Sequence, residues 1–239
     1  MSLPKIDSPV FDTVLPFTGT RVQFRPFKVK EEKILLIAQQ SGEPKQIYDA
    51  VIQVIVNCIV NDVDINTLPA GEVDLLFVKM RAISVNNVVQ LRMLDEEASD
   101  KSIEIELDLD EVTVQFDKSK IKNEIVLDAK YKAKLQMPTF GMSRAINEAS
   151  NGIDLSIDAM CLCIESIFTP DGSEVFYLKD YSFEERKEWL ESLDRKALKD
   201  LNEYMSSLPV LEHDIKYTTT TGEEKTRKLR GLTDFFSFA

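Results

Sequence analysis

The sequence predicts an α+β fold: an N-terminal hairpin, a helical block, a central antiparallel sheet, a second helical block and a C-terminal hairpin. Three observations predict it. Apolar residues recur at helical spacing between residues 34 and 84 and again between 154 and 208, but alternate with polar ones between 88 and 135. Thr18-Gly19 and Thr221-Gly222 each lie between alternating runs near the ends of the chain, as hairpin turns do. The central strands carry one apolar and one polar face, the mark of an antiparallel sheet wet on one side. The expected divisions are 1–85 for the hairpin and first helices, 86–138 for the sheet, and 139–239 for the second helical block and its hairpin. They would form one unit or two closely packed ones. With 239 residues, 44% of them hydrophobic, the chain is long enough to bury a core.

Val10 to Pro16 and Thr20 to Phe27 are the arms of the first hairpin. From there the period changes: Ile34, Leu35 and Ala38, then Ile47, Val51, Val54, Ile55, Cys58 and Ile59, fall at helical spacing. Gly42 and Pro44 separate two helices, Pro44 suiting the first turn of the second. A third helix, about Gly71 to Ser84, places Val73, Leu76, Phe77 and Met80 on one face. Before it, Asp62-Val63-Asp64-Ile65-Asn66 has the opening spacing of a calcium loop but lacks the glycine at its sixth place and the glutamate at its twelfth. A solvated helix-to-helix loop is expected there.

Strands follow. Val89, Leu91 and Met93 alternate with polar residues, and Ile103, Ile105, Leu107 and Leu109 alternate with Glu104, Glu106 and Asp108. The phase slips by one at Asp110-Glu111, which requires a turn or bulge before Val112, Val114 and Phe116. Ile125 to Leu135 reads as another alternating strand. Beyond Pro138 a helix from about Asp154 to Phe168 carries Ile157, Met160, Cys161, Ile164 and Ile167. Thr169-Pro170-Asp171-Gly172 is a turn. Ser182 and Glu185 form a capping box opening a helix with Trp189 and Leu190. Asp194 caps the next helix, whose Ala197, Leu198, Leu201, Tyr204, Met205 and Leu208 share a face until Pro209 ends it. Glu212–Thr220 and Lys225–Arg230 form the last hairpin, and Leu232 to Phe238 an apolar tail.

Composition narrows function. Against 29 basic residues stand 41 acidic ones, a formal net charge of −12, which opposes binding to nucleic acid. No apolar run approaches the roughly 20 residues of a membrane span; Val51 to Val60 is broken by Gln53 and Asn57. Met1-Ser2-Leu3-Pro4-Lys5 lacks the apolar region of a signal peptide, so a cytoplasmic location is expected. Cys58, Cys161 and Cys163 read as reduced structural thiols, the last two pointing apart on their helix. His213 is the single histidine, in an expected edge strand between two surface acids, a poor place for a catalytic triad. Zinc-ligand clusters and phosphate-binding glycine loops are missing from the sequence. No catalytic residue, cofactor, metal or small-molecule substrate is therefore assigned. A carboxylate-pair hydrolase is the alternative that the abundant acids leave open.

Two surfaces are candidates for binding another protein. Phe235, Phe236 and Phe238, with Leu232, crowd the tail, and three phenylalanines within four residues cannot all point one way. Either some anchor a partner or the tail docks wholly on its own domain. The second surface pairs an acidic stripe, Glu104 and Glu106, with a basic one, Lys130, Lys132 and Lys134. These either pair across neighbouring strands of one sheet or form a charged docking face.

Three blocks give the chain a family likeness: Phe24-Arg25-Pro26-Phe27-Lys28-Val29-Lys30-Glu31-Glu32-Lys33-Ile34-Leu35-Leu36, Ser84-Val85-Asn86-Asn87-Val88, and Gly231-Leu232-Thr233-Asp234-Phe235-Phe236. Spread along most of the chain, they resemble the baseplate hub subunit and hub assembly family of T-even-type contractile-tailed bacteriophages. The resemblance implies a non-enzymatic role in tail assembly in the infected host's cytoplasm, through binding other hub or tail proteins. The chain would act as an assembly chaperone that leaves or as a permanent structural subunit of the virion tail baseplate. Within the first block, Phe24 and Phe27 are expected beneath the first helix, with Glu31 and Glu32 in its first turn. Thr218 to Thr221 offer no metal-ligating thiol, so packing alone is expected to hold the last hairpin.

Overall fold

The computed structural model describes residues 6–95, 101–149 and 155–236. In chain order its elements begin with β1 (Phe11–Val14), β2 (Arg21–Phe24), α1 (Val29–Ser41), α2 (Pro44–Cys58) and α3 (Ala70–Ser84). β3 (Val88–Leu94), β4 (Ser102–Asp108), β5 (Thr113–Gln115), β6 (Glu124–Val126) and β7 (Lys132–Leu135) follow. Next come α4 (Phe140–Ala149), α5 (Leu155–Leu162), β8 (Ile164–Phe168), β9 (Val175–Tyr177), α6 (Phe183–Glu191) and α7 (Arg195–Ser207). β10 (Val210–Thr218), β11 (Glu224–Arg230) and α8 (Gly231–Phe236) close the chain. The fold is α+β, as expected, but its strands form several small antiparallel sheets instead of a single central one.

The elements gather into two compact units. The first uses the chain up to Ile65, Gly71–Val114 and the stretch from Val210 onward; the second uses Asn66–Ala70 and Gln115–Pro209.

In the first unit, β1 and β2 pair from Phe11 opposite Phe24 to Val14 opposite Arg21. Gly19, at φ 72°, supplies the left-handed residue their turn needs. The fully buried Glu72 of α3 holds this turn, one carboxylate oxygen accepting the N–H groups of Phe17 (2.7 Å) and Thr18 (3.1 Å). The sequence pattern gave α3 one apolar face, yet Leu75 and Val78 are buried along with Val73, Leu76, Phe77 and Met80. A helix apolar over most of its circumference is a core helix.

β3 and β4 pair from Val88–Asp108 to Leu94–Ser102. The expected phase slip is a turn in which Glu111 N–H donates to the Asp108 carbonyl. It sends β5 out of that pair and into a three-stranded sheet ordered β11-β10-β5. His213 consequently lies on a middle strand, opposite Leu229, where an edge was expected. The last hairpin also has more than packing to hold it. Asp95, buried to 2% exposure, accepts from the backbone N–H (2.8 Å) and hydroxyl (2.5 Å) of Thr220.

In the second unit, Ile125 to Leu135 is a hairpin where one strand was expected. The Asp128 carboxylate accepts from the N–H groups of Lys130 and Tyr131, turning the chain between β6 and β7. The expected helix over Asp154–Phe168 ends at Leu162, and Ile164 and Ile167 lie in β8. Short apolar runs are ambiguous by period, and here pairing with β7 and β9 decides for strand. The resulting order is β6-β7-β8-β9. Ile125, Leu135, Ile164 and Ile167 pack with Leu190, Leu201 and Tyr204 of the helices. The Ser182–Glu185 capping box and the Asp194 cap on Ala197 N–H (2.7 Å) form as read.

Candidate docking surface

The first family block builds a locked helix start. After β2 the chain reaches Pro26, which has no N–H to donate to a ladder. Arg25 turns back over α1, and its guanidinium reaches both oxygens of Glu31, at 2.9 and 3.3 Å. It also donates to the carbonyls of Pro26 (3.0 Å) and Asn57 (2.8 Å). Glu31 is fully buried, and its carboxylate accepts the N–H of Lys28 (2.9 Å) as well, with the Lys30 ammonium 3.3 Å away. Burial alone would raise the Glu31 carboxyl, but these bonds outweigh it and hold the group below the usual carboxylate range. The bond to Glu31 in turn raises the Arg25 guanidinium. Sequence reading placed Glu31 in the first turn for its favourable dipole contact; its larger role is as the buried half of an ion pair.

The other two blocks serve the same unit. Phe27 N–H donates to the Ser84 hydroxyl (2.8 Å), joining the first block to the second, while the Phe27 and Phe77 ring centroids lie 5.8 Å apart. Phe24 is buried and Phe27 half-buried. In the third block Leu232 N–H donates to the Asp74 carboxylate and Arg230 N–H to that of Asp234.

Fixed in this way, α1 has apolar side chains on two opposite faces. Inward lie Ala38, buried, and Ile34 and Leu35, half-buried. Outward stand Val29, Leu36 and Ile37, exposed to 81%, 57% and 58%. Their i, i+7, i+8 spacing puts them in one row, with Lys33 between. Helical periodicity in the sequence found only the inward stripe. The signal for the outward one was the run Ile34-Leu35-Leu36-Ile37, since four consecutive apolar residues must cover more than one side of a helix.

The surfaces expected from sequence stand differently. Phe235 is fully buried and Leu232 half-buried. The Phe236 side chain and the whole of Phe238 lie outside the described residues. Glu104 and Glu106 are in the β3–β4 sheet, and the three lysines belong to the β6–β7 region, so the stripes do not pair with each other. Each finds closer mates. Glu106 accepts from Gln90 (2.7 Å), and Glu104 lies 3.9 Å from Arg92. Lys130 meets Glu174 (2.9 Å), Lys132 meets Glu124 (2.6 Å) and Lys134 meets Glu165 (2.9 Å). Glu104 and Glu106 find partners on the neighbouring strand β3, and the three lysines meet acids within their own four-stranded region.

The three thiols are buried, and burial pushes Cys58 up to about 11 and Cys163 up to about 12, so both stay protonated near neutrality. Cys163 lies between α5 and β8, where a helix was expected. Among the described residues no group of His, Cys, Asp and Glu side chains is arranged to hold a metal ion, and no helix is long and apolar enough to cross a membrane. A cleft of about 340 Å³ in the second unit is lined by Gln136, Leu162, Lys179 and Arg186 among others. Gln136 donates to the carbonyls of Leu162 and Ile164, and Arg186 to those of Tyr181 and Lys179.

In the first unit polar side chains brace the backbone, and one apolar helix face is turned outward. The family described as T4 bacteriophage base plate protein matches residues 8–237, and the chain belongs to that family. It is a T4-type baseplate protein with a role in the phage baseplate or tail. No curated protein and no solved structure matches the chain.

Proposed function

We propose that the chain is a hub subunit or hub assembly factor of the baseplate, acting by binding other hub or tail proteins in the host cytoplasm as the tail is built. The observation that carries this reading is α1, whose apolar side chains face outward as well as inward. An exposed apolar row on a formed helix marks a surface that another protein covers. Surface complementarity is the mechanism, and the braced start of α1 gives a partner a preformed target. Preformed surfaces bind more tightly because less ordering is left to the moment of association.

Mass spectrometry of purified hub intermediates and of finished particles tests the reading. The protein is expected in hub intermediates. Its presence in finished particles identifies a permanent subunit, and its disappearance from them a factor that leaves. Absence from hub intermediates overturns the hub assignment.

A further inference from the structure

We infer that the outer face of α1 receives an apolar helix with acidic residues beside its apolar row, supplied by another baseplate protein and packed antiparallel to α1. The inference rests on the binding role proposed above and names the partner's chemistry. Val29, Leu36 and Ile37 are spaced to interlock with the side chains of a facing helix. Together they expose roughly 350 Å² of apolar surface, comparable with the largest patch of an ordinary monomer.

Charge selects the occupant. The chain as a whole carries −12, yet the exposed charges from Lys28 to Lys33 are three lysines, 28, 30 and 33, against one acid, Glu32. Glu31 does not change this local sign, being buried against Arg25. Lys33 stands inside the apolar row itself. The N-terminal end of α1 adds the positive pole of its helix dipole to these lysines. A facing helix is therefore held best with acidic side chains and its own negative, C-terminal pole at that end, which makes it antiparallel.

A second copy of the chain fits poorly. Two α1 faces meeting about a two-fold axis would set two lysine-bearing rows against each other, Lys33 within each, with no acid in either row to answer them.

The test replaces Leu36 with a photo-crosslinking phenylalanine analogue in cells infected by the encoding phage, then sequences the crosslinked peptide from purified hub intermediates. The expected adduct is a segment of another baseplate protein with apolar residues at helical spacing and more Asp and Glu than Lys and Arg. Leu36→Lys with Ile37→Lys should abolish association with that protein at unchanged Tm. Lys33→Glu should weaken it several-fold, and Lys substitutions at the acids of the crosslinked segment should restore it. Adducts to a second copy, to a basic segment or scattered over many proteins overturn the inference, as does flotation of the purified chain with anionic lipid vesicles that Leu36→Lys abolishes. If the Leu36→Lys, Ile37→Lys protein still enters hub intermediates, the α1 assignment falls and the hub reading stands. If the wild-type protein is absent from hub intermediates, the hub reading itself falls.

Discussion

Replacing Asp74 with Asn should stabilise the protein above neutral pH and change little in acid. Asp74 lies on α3, part-buried, and accepts the N–H of Leu232 where α8 begins. Burial pushes its carboxyl up to about 7, the Leu232 bond offsetting only part of the rise. In the unfolded chain the group should ionise near 3.9. Below about pH 4 both states hold the proton and no penalty exists. As pH rises, the unfolded chain releases its proton first, and the folded state becomes progressively less stable until pH passes 7. A difference of about 3 pKa units at 1.36 kcal/mol each sets a limit of about 4 kcal/mol. Asp74 is not wholly shut off from water, so a realised penalty of about 1–3 kcal/mol is expected. Asn keeps an oxygen for Leu232 N–H but has no charge to bury. Urea unfolding of both proteins at pH 5 and pH 8.5 measures the effect, and the variant's advantage should grow between the two. An advantage equal at both pH values would refute the reasoning.

The remaining predictions concern packing and caps. Glu31→Ala strands Arg25 against α1 and should cost about 3–5 kcal/mol by urea unfolding; a loss below about 1 kcal/mol would mean the pair is solvated. Phe235→Ala, at a fully buried site, should cost about 3–5 kcal/mol, whereas an unchanged Tm with lost hub assembly would make the tail a partner contact. Gly141→Ala brings a Cβ to 2.9 Å from Asn66 Cβ and 3.0 Å from its carbonyl oxygen, and should lower stability by about 1–3 kcal/mol. Ser182→Ala should cost about 1 kcal/mol and fray α6, visible as faster amide exchange in its first turn.

Local rules read most of the elements, and pairing partners explain the rest. Capping chemistry placed Ser182 and Asp194 correctly because a cap is decided within four residues. Alternation placed β3 and β4 for a similar reason, their inward residues being set by the pleat. Alternation does not say which strand comes next to which. A side-chain turn at Asp128 leaves the apolar rhythm unbroken, so β6 and β7 read as one strand. Ile164 and Ile167 suit a helix stripe and a strand equally well, and the choice came from β7 and β9 on either side. Long-range anchors were hidden more deeply. Asp95 opened an acid run that reads as a wet loop, yet Thr220, 125 residues later, gives it two hydrogen bonds. Nothing in the local pattern distinguishes it from the acids that follow.

Within the first family block, residues that brace the fold alternate with those proposed to meet a partner. Arg25, Pro26, Phe27 and Glu31 point into the fold, Ser84 receives Phe27, and Phe235 closes the far end. None of them is placed to touch a partner first. Val29, Lys33, Leu36 and Ile37 are interleaved with them in the same short stretch and point the other way. A substitution such as Leu36→Lys can therefore alter partner choice without loosening the lock, because the lock is made by Arg25, Lys28 and Glu31 on the opposite side of the helix. Conversely, loss of Glu31 should weaken any partner that reads α1, even one that never contacts the carboxylate. Binding would then fall in proportion to the fraction of molecules whose α1 is no longer formed. A chain with Glu31→Ala should thus recover part of its partner binding above neutral pH, where Asp74→Asn offsets part of the lost stability. A chain with Leu36→Lys and Ile37→Lys should not. Measuring hub association in both combinations separates a helix that is held from a helix that is read.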